Sequence, residues 1–307
     1  MSEPAHRAKE HAMYHGVYVP NFGAYGDPHN LLALAETAEA AGWDGLFLWD
    51  HLQLYRKSEV PATDAWLALA AIAARTRRLR LGPLVTPVPR RRPWKLAREI
   101  VSLDVLSRGR AVLGVGLGAP ADAEFGCFGE ETDDRVRARR LDEGLAIVDR
   151  LQRERDVCHA GEFHRVEDVS FLPQPVQRPR VPVWVAGFWP NTAPMRRAAR
   201  WDGVFPLKLP SAPITGLTPQ NIDWSGLWMT PAEIGDCAAF VAARRPDGSR
   251  FDVVASGATL PGDRRAACRR VAAFEAAGAT WWLEWLDEQR GSFEAMLAHV
   301  RNGPPQP

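Results

Sequence analysis

The chain has 307 residues, room for one large domain or two ordinary ones, and its 46% hydrophobic and 24% charged residues are ordinary for a globular enzyme. A formal net charge of +1 gives no whole-chain field that favours nucleic acid or an anionic membrane, so neither is expected as a partner. Four cysteines, Cys127, Cys158, Cys237 and Cys268, stand far apart with no C-x-x-C pair, which argues against a zinc ribbon, a thioredoxin-like motif or a disulfide framework.

Residues 1–12 are polar and read as a loose tail. With no apolar signal segment and no apolar run long enough to span a bilayer, the chain reads as cytoplasmic. YHGVYVP (14–20) predicts the first strand; Asp27 and Pro28 form a cap and first-turn pair. Leu31, Leu34, Ala35 and Ala38 follow at helical spacing until Gly42. DGLFLWD (44–50) predicts the second strand and leads into a helix over 63–76. LRLGPLVT (79–86) opens the third unit, whose helix carries Trp94, Ala97 and Val101 and stops at Gly109. RAVLGVGLG (110–118) opens the fourth, with Leu141, Leu145, Val148 and Leu151 striping a helix after Asp133 and Asp134.

The second half is less regular. Residues 153–180 read as an irregular connection with a small hairpin around EFHRV (162–166). VPVWVAG (181–187) predicts strand five, with a helix over 191–200, and DGVFP (202–206) predicts strand six. FDVVASG (251–257) and TWWLEWL (280–286) predict strands seven and eight. Trp281, Trp282 and Trp285 cannot all face one side of that last strand, so some line the interior and some pack under helices. The Pro-rich stretch 207–230 lacks periodicity, and a loop of that length is usually functional or disordered.

Strands alternating with helices imply a parallel sheet covered by helices, and eight units closing on themselves give a (β/α)8 barrel over 13–300, with an insertion after strand six and a short tail over 301–307. One motif points elsewhere. Gly114, Gly116 and Ala119 form G-x-G-x-x-A after a strand, close to a dinucleotide fingerprint. That fingerprint must turn straight into a helix, and here Pro120 and an acidic loop intervene. The glycines fit better inside strand four, where a flat ligand or neighbouring backbone comes close.

In a barrel, polar residues just past the strand ends are the first candidates for chemistry. Strand two ends in Trp49-Asp50-His51, and an imidazole there can exchange a proton near neutral pH; the plainer reading has Asp50 cap a turn with His51 bonded to it. Phe22, Trp49 and Tyr55 are candidate walls of a substrate pocket. Pro83 and Pro87 bracket the end of strand three and force an irregular backbone there. After strand five, Gly187, Pro190, Asn191 and Thr192 lead into a helix, a start that suits a phosphate and equally suits plain N-capping. Glu124 is a candidate acid, although most loop acids are only solvated. The run Arg90-Arg91-Arg92 reads as a solvated loop or helix entrance rather than an anion site.

Taken together, WDHL (49–52), LGPLVTPVPRRRPWKLARE (81–99), LDVLSRGRAVLGVGLG (103–118), EFGCFGE (124–130) and VPVWVAGFWPN (181–191) resemble the luciferase-like monooxygenase superfamily, with its flavin and deazaflavin branches. The resemblance covers roughly residues 14–300. It implies reduced flavin mononucleotide (FMN) or a 5-deazaflavin in the barrel mouth, and a non-prolyl cis peptide at Leu84–Val85 supporting the ring, with Thr86 and Gly116 nearby. It also implies a phosphate held at Gly187, Asn191 and Thr192, and His51 as a proton donor or polar contact. Two departures stand out. The segment 287–297 looks short, and Ala119-Pro120 replace an acid that some deazaflavin members carry, without deciding whether Glu124 reaches its place. The leading expectation is a monooxygenase that uses reduced FMN and oxygen on a small organic substrate, supplied by a separate flavin reductase. Hydride transfer to a deazaflavin is the alternative, a flavin-binding protein with little catalysis is a reading of another class, and a homodimer is an expected assembly. No metal set stands at the strand ends.

Overall fold

The structure, a computed structural model, describes residues 13–211, 214, 223–245 and 249–306. Apolar runs and helical stripes alternate as follows. Strand β1 (Tyr14–Val19) leads to helix α1 (Pro28–Ala40), β2 (Gly45–Leu48) to α2 (Ala65–Arg75), and β3 (Arg80–Pro83) with the two-residue β4 (Thr86–Pro87) to α3 (Pro93–Ser107). Strand β5 (Leu113–Gly116) precedes the four-residue α4 (Ala121–Glu124) and the long α5 (Asp134–Arg153), after which β6 (Val157–Ala160) and β7 (Arg165–Val169) form an antiparallel hairpin. Then come β8 (Val183–Trp189), α6 (Thr192–Ala198), β9 (Gly203–Lys208), α7 (Pro231–Ala242), β10 (Asp252–Gly257), α8 (Arg264–Ala276), β11 (Trp281–Trp285) and α9 (Phe293–Arg301).

The sheet runs β3-β2-β1-β11-β10-β9-β8-β5-β4 with every pairing parallel. A parallel bridge between Leu81 and Ala111 joins its two ends, supported by Val112 N donating to Leu81 O at 2.9 Å. Strands β3 and β4 are halves of one stave, interrupted by the cis Leu84–Val85 peptide, so eight staves close into the expected barrel. Close approach makes this seam possible. A Cβ on Gly82 would lie 1.8 Å from Val112 O, and one on Gly114 would lie 2.3 Å from Pro83 O. Gly114 and Gly116 therefore serve strand packing. Gly118, at φ +83°, is followed by the cis Ala119–Pro120 peptide and only the short α4, which is incompatible with a dinucleotide fingerprint.

Side chains alternate across each stave and divide the core in two. Tyr14, Tyr18, Phe47, Trp184, Trp281 and Trp285 pack with other apolar groups inside the barrel, whereas Val, Leu, Ile and Ala dominate the layer between staves and helices. On β11, Trp281 and Trp285 point in while Trp282 points out against Phe274, with ring centroids 5.0 Å apart. The stripes of α1 and α5 are buried as their periodicity predicts, and Asp27 accepts from His29 N as the cap of α1.

Several boundaries and elements differ from the sequence reading. Strand β8 continues through Trp189, two residues past the predicted end, because it pairs with β9 as far as Lys208. Helices α7, α8 and α9 were not marked by periodicity; α7 starts in a Thr230–Glu233 capping box. The predicted C-terminal tail is packed through residue 306, with Pro304 buried and Arg264 donating to the carbonyls of Asn302 and Pro304, both at 3.2 Å. The expected tail over 1–12 and part of the 207–230 stretch, at 212, 213 and 215–222, lie outside the described residues.

Candidate active site

Strand β2 delivers Trp49, Asp50 and His51 to the carboxyl end of the barrel. Asn21, just past β1, fixes that turn: its Nδ2 donates to His51 O at 2.9 Å and to Thr63 O at 2.8 Å, and its Oδ1 accepts from His51 N at 3.2 Å. Glu124, 1% exposed at the end of α4, meets His51 there. His51 Nδ1 lies 2.9 Å from Glu124 Oε1, and the same carboxylate accepts from Leu52 N at 3.1 Å and Gln53 N at 3.3 Å. Arg90 Nη1 donates to Glu124 Oε2. Burial is the largest influence on the Glu124 carboxyl and pushes it up. The His51 contact, the Arg90 charge and the Leu52 N–H together outweigh burial and hold it below the usual carboxylate range. Beside an anionic Glu124 the proton sits on His51 Nδ1, and in the neutral ring Nε2 is then the acceptor. Nε2 has no hydrogen-bond partner among the described residues, and the ring is 20% exposed.

Asp50 does something other than cap a turn or bond His51. Its Oδ2 accepts from Thr86 Oγ1 at 2.5 Å, Arg91 Nη2 at 2.6 Å and Trp66 Nε1 at 3.3 Å. Arg90 Nη2 donates to Asp50 O at 2.9 Å, so a single guanidinium spans both carboxylate residues. Burial pushes Asp50 up, but the Arg91 and Arg90 charges and these hydrogen bonds leave it lowered. The basic run is thus a correction to the sequence reading: only Arg92 is exposed, while the Arg90 and Arg91 side chains turn inward onto buried carboxylates. Thr86 is buried with its hydroxyl on Asp50, tying the β3–β4 interruption to the end of β2.

Trp49 joins the interior cluster, and its buried Nε1 has no partner. Phe22 packs on it at 5.5 Å between ring centroids and lies 6.0 Å from the His51 ring. The turn Trp224–Leu227 and Trp228 roof this mouth: Trp224 meets Trp49 edge-on at 4.9 Å, and Trp224 and Trp228 each lie 6.3 Å from Trp285. Leu84 is fully buried in the cluster and Val85 packs against it partly exposed. Gly116 faces Val85, since a Cβ there would lie 2.9 Å from Val85 Cγ2. Tyr55 is half-buried in the loop after β2 and makes no ring contact with the cluster among the described residues.

After β8, Asn191 and Thr192 are exposed at the start of α6, and Asn191 makes no side-chain capping bond. A Cβ on Gly187 would lie 2.2 Å from Pro194 Cβ, so this glycine lets α6 pack on its strand. A cavity of about 350 Å³ opens elsewhere, lined by Thr259, Arg264, His299 and Asn302 among others. His299 there turns Nε2 to the buried Glu284 at 3.3 Å, which leaves the strand-end imidazole, His51, as the better placed for chemistry. Among the described residues no group of three His, Cys, Asp or Glu side chains could hold a metal ion, and no helix is long and apolar enough to cross a membrane.

Asn21, Asp50 as an anchor, Arg90 and Arg91 escaped the sequence reading. The signal available was the density of arginines three to five residues past the end of β4, beside two acids in other loops.

Comparison with known proteins agrees with this geometry. An F420-dependent glucose-6-phosphate dehydrogenase of Microbacterium testaceum is 34% identical over 165 residues, 53% of this chain and 48% of that protein. The chain thus spans about half the length of the curated relatives it matches. Among solved structures, the monooxygenase RslO1 of Streptomyces bottropensis aligns with a TM-score of 0.69 at 24% identity, covering 94% of this chain and 97% of that one. An F420-dependent secondary alcohol dehydrogenase, solved with an F420–acetone adduct, aligns with a TM-score of 0.74 at 15% identity, covering 95% and 98%. At such identities these two likenesses bear on the fold alone. The luciferase-like monooxygenase family model matches residues 13–303, nearly the whole barrel with its strand-end site, and the chain belongs to that family.

Proposed function

We propose that the protein is a deazaflavin-dependent oxidoreductase that moves a hydride between a small alcohol and the cofactor. The observation that carries this reading is the imidazole of His51 backed by an anionic Glu124, with Nε2 facing no protein partner. Oxidising an alcohol removes a hydride from carbon and a proton from oxygen, and a carboxylate-held imidazole is a base suited to that proton. The F420-dependent names of the curated relatives support the same choice. The expected leading role, FMN-dependent oxygenation with a partner reductase, has the weaker support, since the likeness to the monooxygenase RslO1, at 24% identity, bears on the fold.

The residues present fit such a cofactor. Leu84 and Val85 would support the ring beside Gly116. Gly187, Asn191 and Thr192 would meet the phosphate, at a helix start that no side chain caps. When bound, the deazaflavin accepts or returns a hydride at its C5. His51 takes the hydroxyl proton at Nε2, Glu124 steadies the resulting imidazolium, and the aromatic mouth excludes water.

Two measurements test the assignment. Titrating the purified protein with a deazaflavin coenzyme and with FMN should give at least about tenfold tighter binding of the deazaflavin; a preference for FMN with oxygen-dependent product would reverse the choice. Changing His51→Ala should lower kcat by about 10²- to 10⁴-fold while cofactor affinity stays within about twofold. Equal losses in both would make His51 a binding residue. Replacing Asn191 and Thr192 together by Ala should weaken cofactor binding about tenfold, and unchanged affinity would move the phosphate elsewhere.

A further inference from the structure

Accepting the hydride-transfer reading, on which the next step rests, we infer that the alcohol is uncharged, largely apolar and ring-sized, and that Trp224 and Trp228 select it. A sugar phosphate does not fit this site. The surroundings of His51 are indole and phenyl rings: Trp49 lies 5.7 Å and Phe22 6.0 Å from the imidazole, Trp224 packs edge-on against Trp49, and Trp224 and Trp228 each lie 6.3 Å from Trp285. A phosphate dianion brought here would lose its water and need cations or several N–H donors in return.

Cations on the strand-end loops are already committed. Arg90 and Arg91 hold Asp50, Glu99 and Glu124, and Arg290 holds Glu284 at 2.8 Å. Arg56 lies 3.9 Å from Asp122, and Lys208 lies 3.2 Å from Glu233. Withdrawing Arg90, Arg91 or Arg290 would strand a buried carboxylate, whereas the Arg56 and Lys208 pairs are exposed and screened by solvent. The two exceptions are exposed: Lys57, in the loop after β2, is solvated, and Arg92, at the entrance of α3, lies over the Trp94 ring at 6.0 Å.

What the mouth does offer is single neutral donors. Among the described residues, Trp49 Nε1 is buried without a partner on a residue only 4% exposed, and Trp228 Nε1 is likewise buried and unpaired. A buried donor without an acceptor is costly, and one hydroxyl or carbonyl oxygen on an apolar ligand would satisfy it. The aromatic faces then supply area and the N–H supplies orientation, a combination that favours a ring-bearing secondary alcohol or its ketone.

The test uses the full chain loaded with deazaflavin, with 1-phenylethanol and cyclohexanol compared against glucose 6-phosphate. We expect kcat/KM for the two apolar alcohols to exceed that for the sugar phosphate by at least about 100-fold. Trp224→Ala should lower kcat/KM for 1-phenylethanol about tenfold with cofactor affinity unchanged, and Trp228→Ala serves as the second variant should the first not fold. Lys57→Ala should alter none of these ratios. A parallel arm measures binding of acetophenone and of glucose 6-phosphate by calorimetry, independent of turnover. If acetophenone binds and no alcohol is oxidised, the reaction assignment fails while the inferred ligand chemistry stands. Comparable use or binding of glucose 6-phosphate, no binding of acetophenone, or ratios unmoved by both tryptophan variants overturns it.

Discussion

Arg90 reaches Glu124 with one guanidinium nitrogen and Asp50 with the other, so its charge bears on the His51 pair without touching the imidazole. It is a positioning residue. The neighbouring charges are Arg91 with Glu99 behind it, Asp50 on the β2 side, and Asp122 with Arg56 beside α4. Removing a positive charge favours the protonated form of every group nearby. In Arg90→Met the Glu124 carboxyl should therefore protonate at higher pH, and the acidic limb of kcat/KM should move up with it. Arg90→Lys keeps a charge and should shift it less. A pH–rate profile that does not move in either variant would leave Arg90 with a purely structural part.

At the level of elements, the seam between β3 and β5 depends on backbone contact. Gly82→Ala would drive a methyl into Val112 O, and it should destabilise the protein by about 3 kcal/mol or more in urea unfolding. Thr230→Ala removes the capping box of α7 and should cost about 1 kcal/mol by the same measurement. The eight staves were legible because parallel strands buried on both faces read as apolar runs, as in VPVWVAG and DGLFLWD. The short helices were less so: α9 has nine residues, and α7 announces itself mainly through Thr230 and Glu233. At the site, His51 and Trp49 stood out because a strand end placed them. Arg90 and Glu124 lie 34 positions apart, as do many loop residues, and nothing local indicates which loops will meet. Asn21 carries no local signal either: its amide braces His51 from 30 positions away.

For the molecule as a whole, buried carboxyls set the response to acid. Asp50, Glu124 and Glu284 are each pushed up by burial and brought below their ordinary values by arginine or histidine partners and hydrogen bonds. A carboxyl lowered on folding stabilises the protein above its unfolded pKa, and that contribution fades as pH falls through the folded value. Asp252 and Asp287, raised chiefly by burial, act with the opposite sign over the same range. With the lowered groups tied to guanidinium partners, the urea midpoint should fall between about pH 5 and pH 3. A midpoint that rises would mean that the two raised aspartates dominate.

The crowding of indoles in the barrel has an optical corollary. Trp49 lies within 5.1 Å of Trp285 and Trp184 within 5.3 Å of Trp281, edge-on in both cases, while Tyr14 stacks on Trp281 at 4.8 Å. Chromophores this close share their excitations, so circular dichroism should carry a coupled-indole signature found only in the native arrangement. Of the rings involved, Trp224 alone belongs to both roof and edge-on contact with Trp49, and the part of that signature lost in Trp224→Ala becomes a built-in gauge of whether the mouth is roofed.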